Sequence, residues 1–189
     1  MNSKLKEWLP VIIIVLLIFL ARAFVFSPVK VEGHSMDPTL HDGQRLISSK
    51  VSSIDRQDII TTKEPDNTNL YVVKRVIGLP GDKIEMQDNV LTINGKEYKE
   101  SYLTDYQKKF KEDKLFDTYS YNSAFQEQAA NADSFTNNFS VTVPKNSYFV
   151  LGDNRLISKD SRIFGFVDKF LVQGKVVLRF WPLNKIQLF

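Results

Sequence analysis

One long apolar run near the start of the chain constrains everything that follows. Residues 8–26 hold 19 positions and a single charge, Arg22. About 20 apolar residues match the thickness of a bilayer's hydrocarbon core, so a helix here would be long enough to span one. Arg22 lies near one end of the run, where a long basic side chain can reach back to the headgroups. Trp8 suits the opposite interface, and Pro10 falls in the first turn, where a missing N–H costs little. A competing reading is a cleavable leader. Lys4 and Lys6 precede the apolar core, and Ala21-Arg22-Ala23 fits a small-x-small cleavage pattern. Apolar residues continue past that point, which favours an uncleaved anchor. Lys4 and Lys6 place the N-terminus in the cytoplasm and the rest of the chain outside it, although Arg22 and Lys30 weaken the asymmetry.

Beyond residue 27 the pattern changes to short β-branched runs separated by turn residues. Strands are expected around Val29 and Val31, at 45–47, 59–62, 70–77, 90–93, 139–143, 148–151 and 175–180. Asp42-Gly43, Pro80-Gly81 and Asn94-Gly95 supply turns, the last a strong hairpin signal. Strands this closely spaced point to an antiparallel sheet or partial barrel. Residues 99–138 are polar and are expected to form a partly helical, partly flexible insertion, with a helix over 102–115. The fold class is therefore mainly β behind a single membrane helix. Its segments are a tip and anchor over 1–26, core over 27–98, insertion over 99–138 and core again over 139–189.

Composition narrows the chemistry. The chain has no cysteine and only two histidines, His34 and His41. That removes thiol catalysis and cysteine-based metal sites, and leaves little histidine chemistry. Lys108, Lys109, Lys111 and Lys114 are interrupted by Glu112 and Asp113, which reads as a solvated helix face rather than a nucleic-acid footprint.

Three places could carry chemistry. His34, Ser35 and Asp37 contain the residue types of a catalytic triad, but neighbours in sequence point apart and working triads converge from separate elements. Ser35, after Gly33 and before Met36-Asp37-Pro38, sits where a tight turn can expose its hydroxyl. The alternative is a turn serine capping its own backbone. Lys74 shares a strand face with Val72 and Val76. On a buried face its amine would lose protons readily and could act as a general base. Otherwise its stem packs and its head reaches water. Asp153, Arg155, Asp160 and Arg162 alternate in sign over 152–162 and suggest an ion-pair network that holds both carboxylates ionised. With arginines balancing them and no histidine nearby, a metal is not expected.

Taken together, four segments resemble the type I signal peptidases, the membrane serine proteases of protein secretion. They are Gly33-His34-Ser35-Met36-Asp37-Pro38-Thr39-Leu40, Asp42-Gly43, the stretch 71–82 around Lys74, and 152–162 with Gly165. One short anchor and a compact domain resemble the Gram-positive type. The resemblance implies that Ser35 is the nucleophile and Lys74 its base. The Ser35 N–H would form part of the oxyanion hole, and Ser158 would orient the lysine. Asp153, Arg155, Asp160 and Arg162 would hold the site together. Gly33 stands where some relatives place a serine hydroxyl in the oxyanion hole, so the hole would rely on backbone or water. Ile157 departs from a position that is polar in many relatives. The implied substrates are signal-peptide-bearing preproteins cut after Ala-x-Ala, bound as an added strand beside the bilayer. No cofactor, metal or nucleic acid is implied. The alternative is a non-proteolytic binding or assembly factor on the same fold. Met36 could form part of a lipid-facing rim. Trp181, Leu183, Ile186, Leu188 and Phe189 are expected to pack on the core rather than dock on lipid.

Overall fold

The computed structural model describes residues 3–116 and 122–189. The chain begins with α1 (Ser3–Phe24) and passes almost directly into β1 (Phe26–Lys30). Side chains over 7–20 of α1 are all exposed. Among the described residues no helix is long and apolar enough to cross a membrane, so the fold does not show the expected spanning anchor. The side chains of Lys4, Lys6, Ala21, Arg22 and Ala23 lie outside the described residues.

The main sheet continues with β2 (Arg45–Ser49), β3 (Ile59–Glu64) and β4 (Asn67–Gly78). A hairpin layer follows: β5 (Lys83–Gln87), β6 (Val90–Ile93) and β7 (Lys96–Glu97). After the helical insertion come β8 (Phe139–Thr142), β9 (Ser147–Leu151), β10 (Val167–Asp168), β11 (Val172–Trp181) and β12 (Gln187–Leu188). The strands form two antiparallel sheets. One runs in the order β1-β2-β11-β3-β4-β9-β10, with β12 paired to β11, and the other in the order β7-β6-β5-β8. The mainly β expectation is thus met. The strand β5 was missed, although Lys83-Ile84-Glu85-Met86-Gln87 alternates with Ile84 and Met86 buried.

Two apolar clusters lie against the main sheet and frame the site. Val31, Met36, Leu40, Leu46, Ile59 and Val176 form one, with Val73 and Phe189 packed on it. Ile60, Val76, Tyr148, Val150, Val167 and Leu171 form another. Met36 is only 1% exposed, so it anchors the core and offers nothing to a lipid rim. The tail also departs from expectation. Trp181, Leu183, Ile186 and Leu188 are exposed, and only Phe189 packs inward. The short turn Leu183–Lys185 and two-residue β12 touch the sheet along one strand, leaving those side chains outside.

Where it is described, the insertion is partly helical and has an apolar core despite its polar composition. It carries a 3-10 turn (Ser101–Leu103), α2 (Thr104–Asp113) and α3 (Ser123–Asn131). Leu103, Tyr106, Phe110, Leu115, Phe125, Ala129 and Phe135 form its own core. Tyr106 and Phe110, four apart, place both rings on one helix face, and each stacks on Phe135 at 5.4 and 5.7 Å. Leu156 and Ile157 pack on this core. The apolar residue at 157 is therefore a contact between the insertion and the 152–162 segment.

Candidate active site

The turn that carries Ser35 is fixed from both ends. As the chain leaves β1 and returns toward β2, Val31 N donates to Gln44 O and Gly43 N donates to Val31 O. Gly33 has φ +81°, a conformation open to glycine and strained for other residues. Its N–H donates to Asp42 Oδ1 at 2.8 Å, so that group is committed to the turn rather than to a reacting carbonyl. Met36 and Leu40, both buried, plug the turn into the core beneath it. Asp37 is fully buried, and His34 and His41 both reach it through Nδ1. The two histidines thus brace the turn.

Lys74 arrives from β4, where Ile60 of β3 lies opposite it. Its side chain is 3% exposed, and its Nζ donates to Ser35 Oγ at 2.9 Å. Burial pushes its pKa down from the ordinary 10.5 to about 8, against the opposing pull of Asp160, Glu64 and Asp153. Roughly a tenth to a fifth of the amine is then neutral at pH 7 to 7.4, against about a thousandth or less for an ordinary lysine. A neutral amine at hydrogen-bond distance from a half-buried hydroxyl can take that hydroxyl's proton.

The 152–162 segment packs against the same turn. Asn154 N donates to Ser35 O at 3.0 Å. A side chain at Gly152 would have its Cβ 2.5 Å from Ser35 O and 2.2 Å from Ser158 Oγ, so only glycine lets the two segments meet. The expected four-residue ion-pair network forms only in part. Asp160 pairs with Arg162 through Nε and Nη2, both at 2.8 Å, and also accepts from the Gly152 N–H at 3.0 Å. Asp153 pairs instead with Arg75, through Nε at 2.9 Å and Nη2 at 2.7 Å, and accepts from Thr39 Oγ1. Arg155 pairs with Glu100 of the insertion and donates to Gly152 O at 3.0 Å. Tyr102 bridges the two pairs. Its hydroxyl accepts from Arg155 Nη2 at 3.2 Å, and its ring lies 3.9 Å from the Arg75 guanidinium. Ser158 Oγ is buried and has no hydrogen-bond partner among the described residues. Among the described residues no cluster of acidic residues or histidines could hold a metal.

Arg75, Thr39, Glu100 and Tyr102 were not anticipated. Arg75 had a signal, since it follows Lys74 on the strand and so faces the other way. Glu100 lies 55 positions from its partner and had none.

Ser35 and Lys74 line a cleft of about 600 Å³, together with Ser27, Val29, Leu70 and Val72. Those residues come from β1, the end strand of the sheet, and from the first part of β4. There β4 has β3 on one side only, because its pairing with β9 begins at Arg75. A cleft bordered by two open strand edges, with a hydroxyl and a buried amine in it, suits cleavage of an extended peptide. The class that fold and site define is a mainly β serine endopeptidase.

The comparisons narrow that class to one family. The family model described as signal peptidase, peptidase S26, matches residues 5–181. Signal peptidase I of Streptococcus pneumoniae is 46% identical over 201 aligned positions, covering 100% of this chain and 98% of that protein. Signal peptidase I of Bacillus licheniformis is 43% identical, covering 98% and 94% respectively. Signal peptidase IB of Staphylococcus aureus is 37% identical over 99% and 95%. The crystal structure of a signal peptidase I from Enterococcus faecalis superposes with TM-score 0.52 at 36% identity, over 66% of this chain and 97% of that one. The chain belongs to the signal peptidase family, peptidase S26, whose members are serine endopeptidases.

Proposed function

We propose that this chain removes N-terminal signal peptides from secreted proteins by Ser/Lys catalysis at the outer face of a membrane. The observation that carries the reading is the 2.9 Å contact between Lys74 Nζ and Ser35 Oγ, made by a lysine whose burial brings its pKa to about 8. Neutral Lys74 takes the Ser35 proton as Oγ attacks the scissile carbonyl. The Ser35 N–H helps hold the oxyanion, and the Lys74 ammonium returns a proton to the leaving amine. Lys74 then deprotonates water, which releases the acyl group. The preprotein enters the cleft extended, adding a strand between β1 and β4. Alternate side chains point into the cleft against Val29 and Val72, which suits small residues in an Ala-x-Ala pattern.

A membrane anchor formed by residues 8–26 completes the proposal. β1 starts two positions after α1 ends, and Ser27 already lines the cleft. A helix embedded in the bilayer would therefore hold the cleft near the membrane surface, where signal peptides emerge.

Replacing Ser35 or Lys74 with alanine tests the reading. Each variant should fold, by circular dichroism and thermal melting, and each should fail to cleave a signal-peptide substrate. Full activity in either would refute the assignment.

A further inference from the structure

A second set of contacts holds the turn that carries Ser35. Arg179, on β11, is 9% exposed and reaches oxygen atoms on two stretches of chain, 39–44 and 185–187. Its Nη1 donates to Thr39 O at 3.0 Å and to Gln44 Oε1 at 3.3 Å. Its Nε donates to Lys185 O at 2.7 Å, and its Nη2 to Gln187 Oε1 at 2.6 Å. All four acceptors are neutral carbonyl or amide oxygens. Gathering them takes the fixed planar fork of a guanidinium, which the compact ammonium of a lysine does not provide.

Thr39 is the corner where these contacts meet the site. It lies four residues past Ser35, in a turn closed by the Leu40 N–H, which donates to Met36 O at 2.9 Å. Its carbonyl accepts from Arg179, whereas its hydroxyl donates to Asp153, the partner of Arg75. The next residue, Asn154, donates its N–H to Ser35 O at 3.0 Å. The Ser35 turn thus rests on Asp153 and Asn154 at two points, and Arg179 ties its Thr39 end to β11. Gln44, the other residue that Arg179 reaches on this loop, accepts the Val31 N–H on its own carbonyl at 2.8 Å, where the loop closes. Phe189 packs on the apolar cluster that contains Met36 and Leu40, so the segment supplying Lys185 and Gln187 also backs the turn.

We propose that Arg179 is a positioning residue for Ser35, holding Thr39 and Gln44 against β11 so that the hydroxyl stays within hydrogen-bond distance of Lys74. The inference rests on the Ser/Lys reading above. Arg179 touches neither the cleft nor the reacting atoms in this role. It acts through the Thr39 backbone, and rate is sensitive to such support: a misplacement of about 1 Å, caused far from the chemistry, can cost about a hundredfold.

The test is the kinetics of the full chain in detergent, with an Ala-x-Ala signal-peptide substrate, well below the melting temperature of every variant compared. Arg179→Gln removes the fork and should lower kcat about tenfold or more, with KM within about twofold of the parent. Arg179→Lys keeps the charge but not the fork, and should also lower kcat without raising KM. Asp160, Glu64, Asp153 and Arg162 act on the Lys74 amine, and both substitutions leave them in place. The ascending limb of the pH–rate profile should therefore stay where it is while its plateau falls. A purely structural role would lower the melting temperature and leave kcat per folded molecule unchanged, and that result overturns the inference. A loss carried by KM alone, or a limb that moves, overturns it too. Should Arg179→Gln fail to fold, Arg179→Lys decides by the same readings. If neither folds, Arg179 is structural and the inference falls. The Ser35→Ala and Lys74→Ala variants separate the two levels of the argument. If either still cleaves, the Ser/Lys reading falls. If both are inactive while Arg179→Gln keeps full kcat, only the role of Arg179 falls.

Discussion

Lys74 shows how the burial that fits a side chain for the proposed role of base is also a cost to the fold. Its pKa of about 8 lies below the unfolded value of 10.5. Between those values the unfolded chain binds more protons than the folded one, so this group's contribution to stability improves as pH rises through that window. Below pH 8 burial of the amine costs the fold about 3 kcal/mol. Lys74→Met should therefore be more stable than the parent at pH 7 in denaturant unfolding, with the advantage shrinking as pH rises from about 8 toward 10.5. An advantage independent of pH would contradict this account. His34 makes the opposite point. It sits beside Ser35, yet its ring addresses Asp37, which His41 also holds. His34→Ala should keep substantial cleavage activity, because one histidine still braces Asp37. A loss as complete as that of Lys74→Ala would show that the histidine takes part in the chemistry.

At the scale of elements, the strands were legible and their partners less so. The alternation of Val72, Lys74 and Val76 indicated a strand and the face Lys74 would share, and β4 has that form. The insertion was expected to be partly helical, and α2 (Thr104–Asp113) lies within the expected 102–115, but its own apolar core was not foreseen because its polar surface residues outnumber that core. The spacing of Tyr106 and Phe110 was the available signal for a packed helix. Glu100 could not have been found, because its pairing with Arg155 depends on how the insertion docks, not on any local pattern. That docking has a measurable consequence. Arg155 has a fully buried side chain, and Glu100 is its carboxylate partner. Glu100→Gln leaves a buried charge uncompensated and should lower stability by about 3–5 kcal/mol. Denaturant midpoints check this directly, and an unchanged midpoint would mean the insertion does not support the site.

The whole molecule joins two antiparallel sheets to a helix that leads almost directly into the cleft's first strand. The Ser35 turn and the β3–β4 hairpin border that cleft, residues 152–162 pack against the Ser35 turn, and the insertion pairs with them through Glu100. The motifs pointed to Ser35, Lys74 and the 152–162 residues, but not to Asp153 pairing with Arg75 rather than with its sequence neighbours. That choice is made by β4, which delivers Lys74 toward the hydroxyl and Arg75 toward Asp153 from adjacent positions. The central claim is that this arrangement makes Lys74 the base for Ser35. It is tested most directly by the pH–rate profile of kcat/KM on a signal-peptide substrate, for the wild-type chain and the Lys74→Ala variant. The account predicts an ascending limb centred near pH 8 that disappears with Lys74. A limb near the ordinary lysine value of about 10.4, or one that survives in Lys74→Ala, would contradict it.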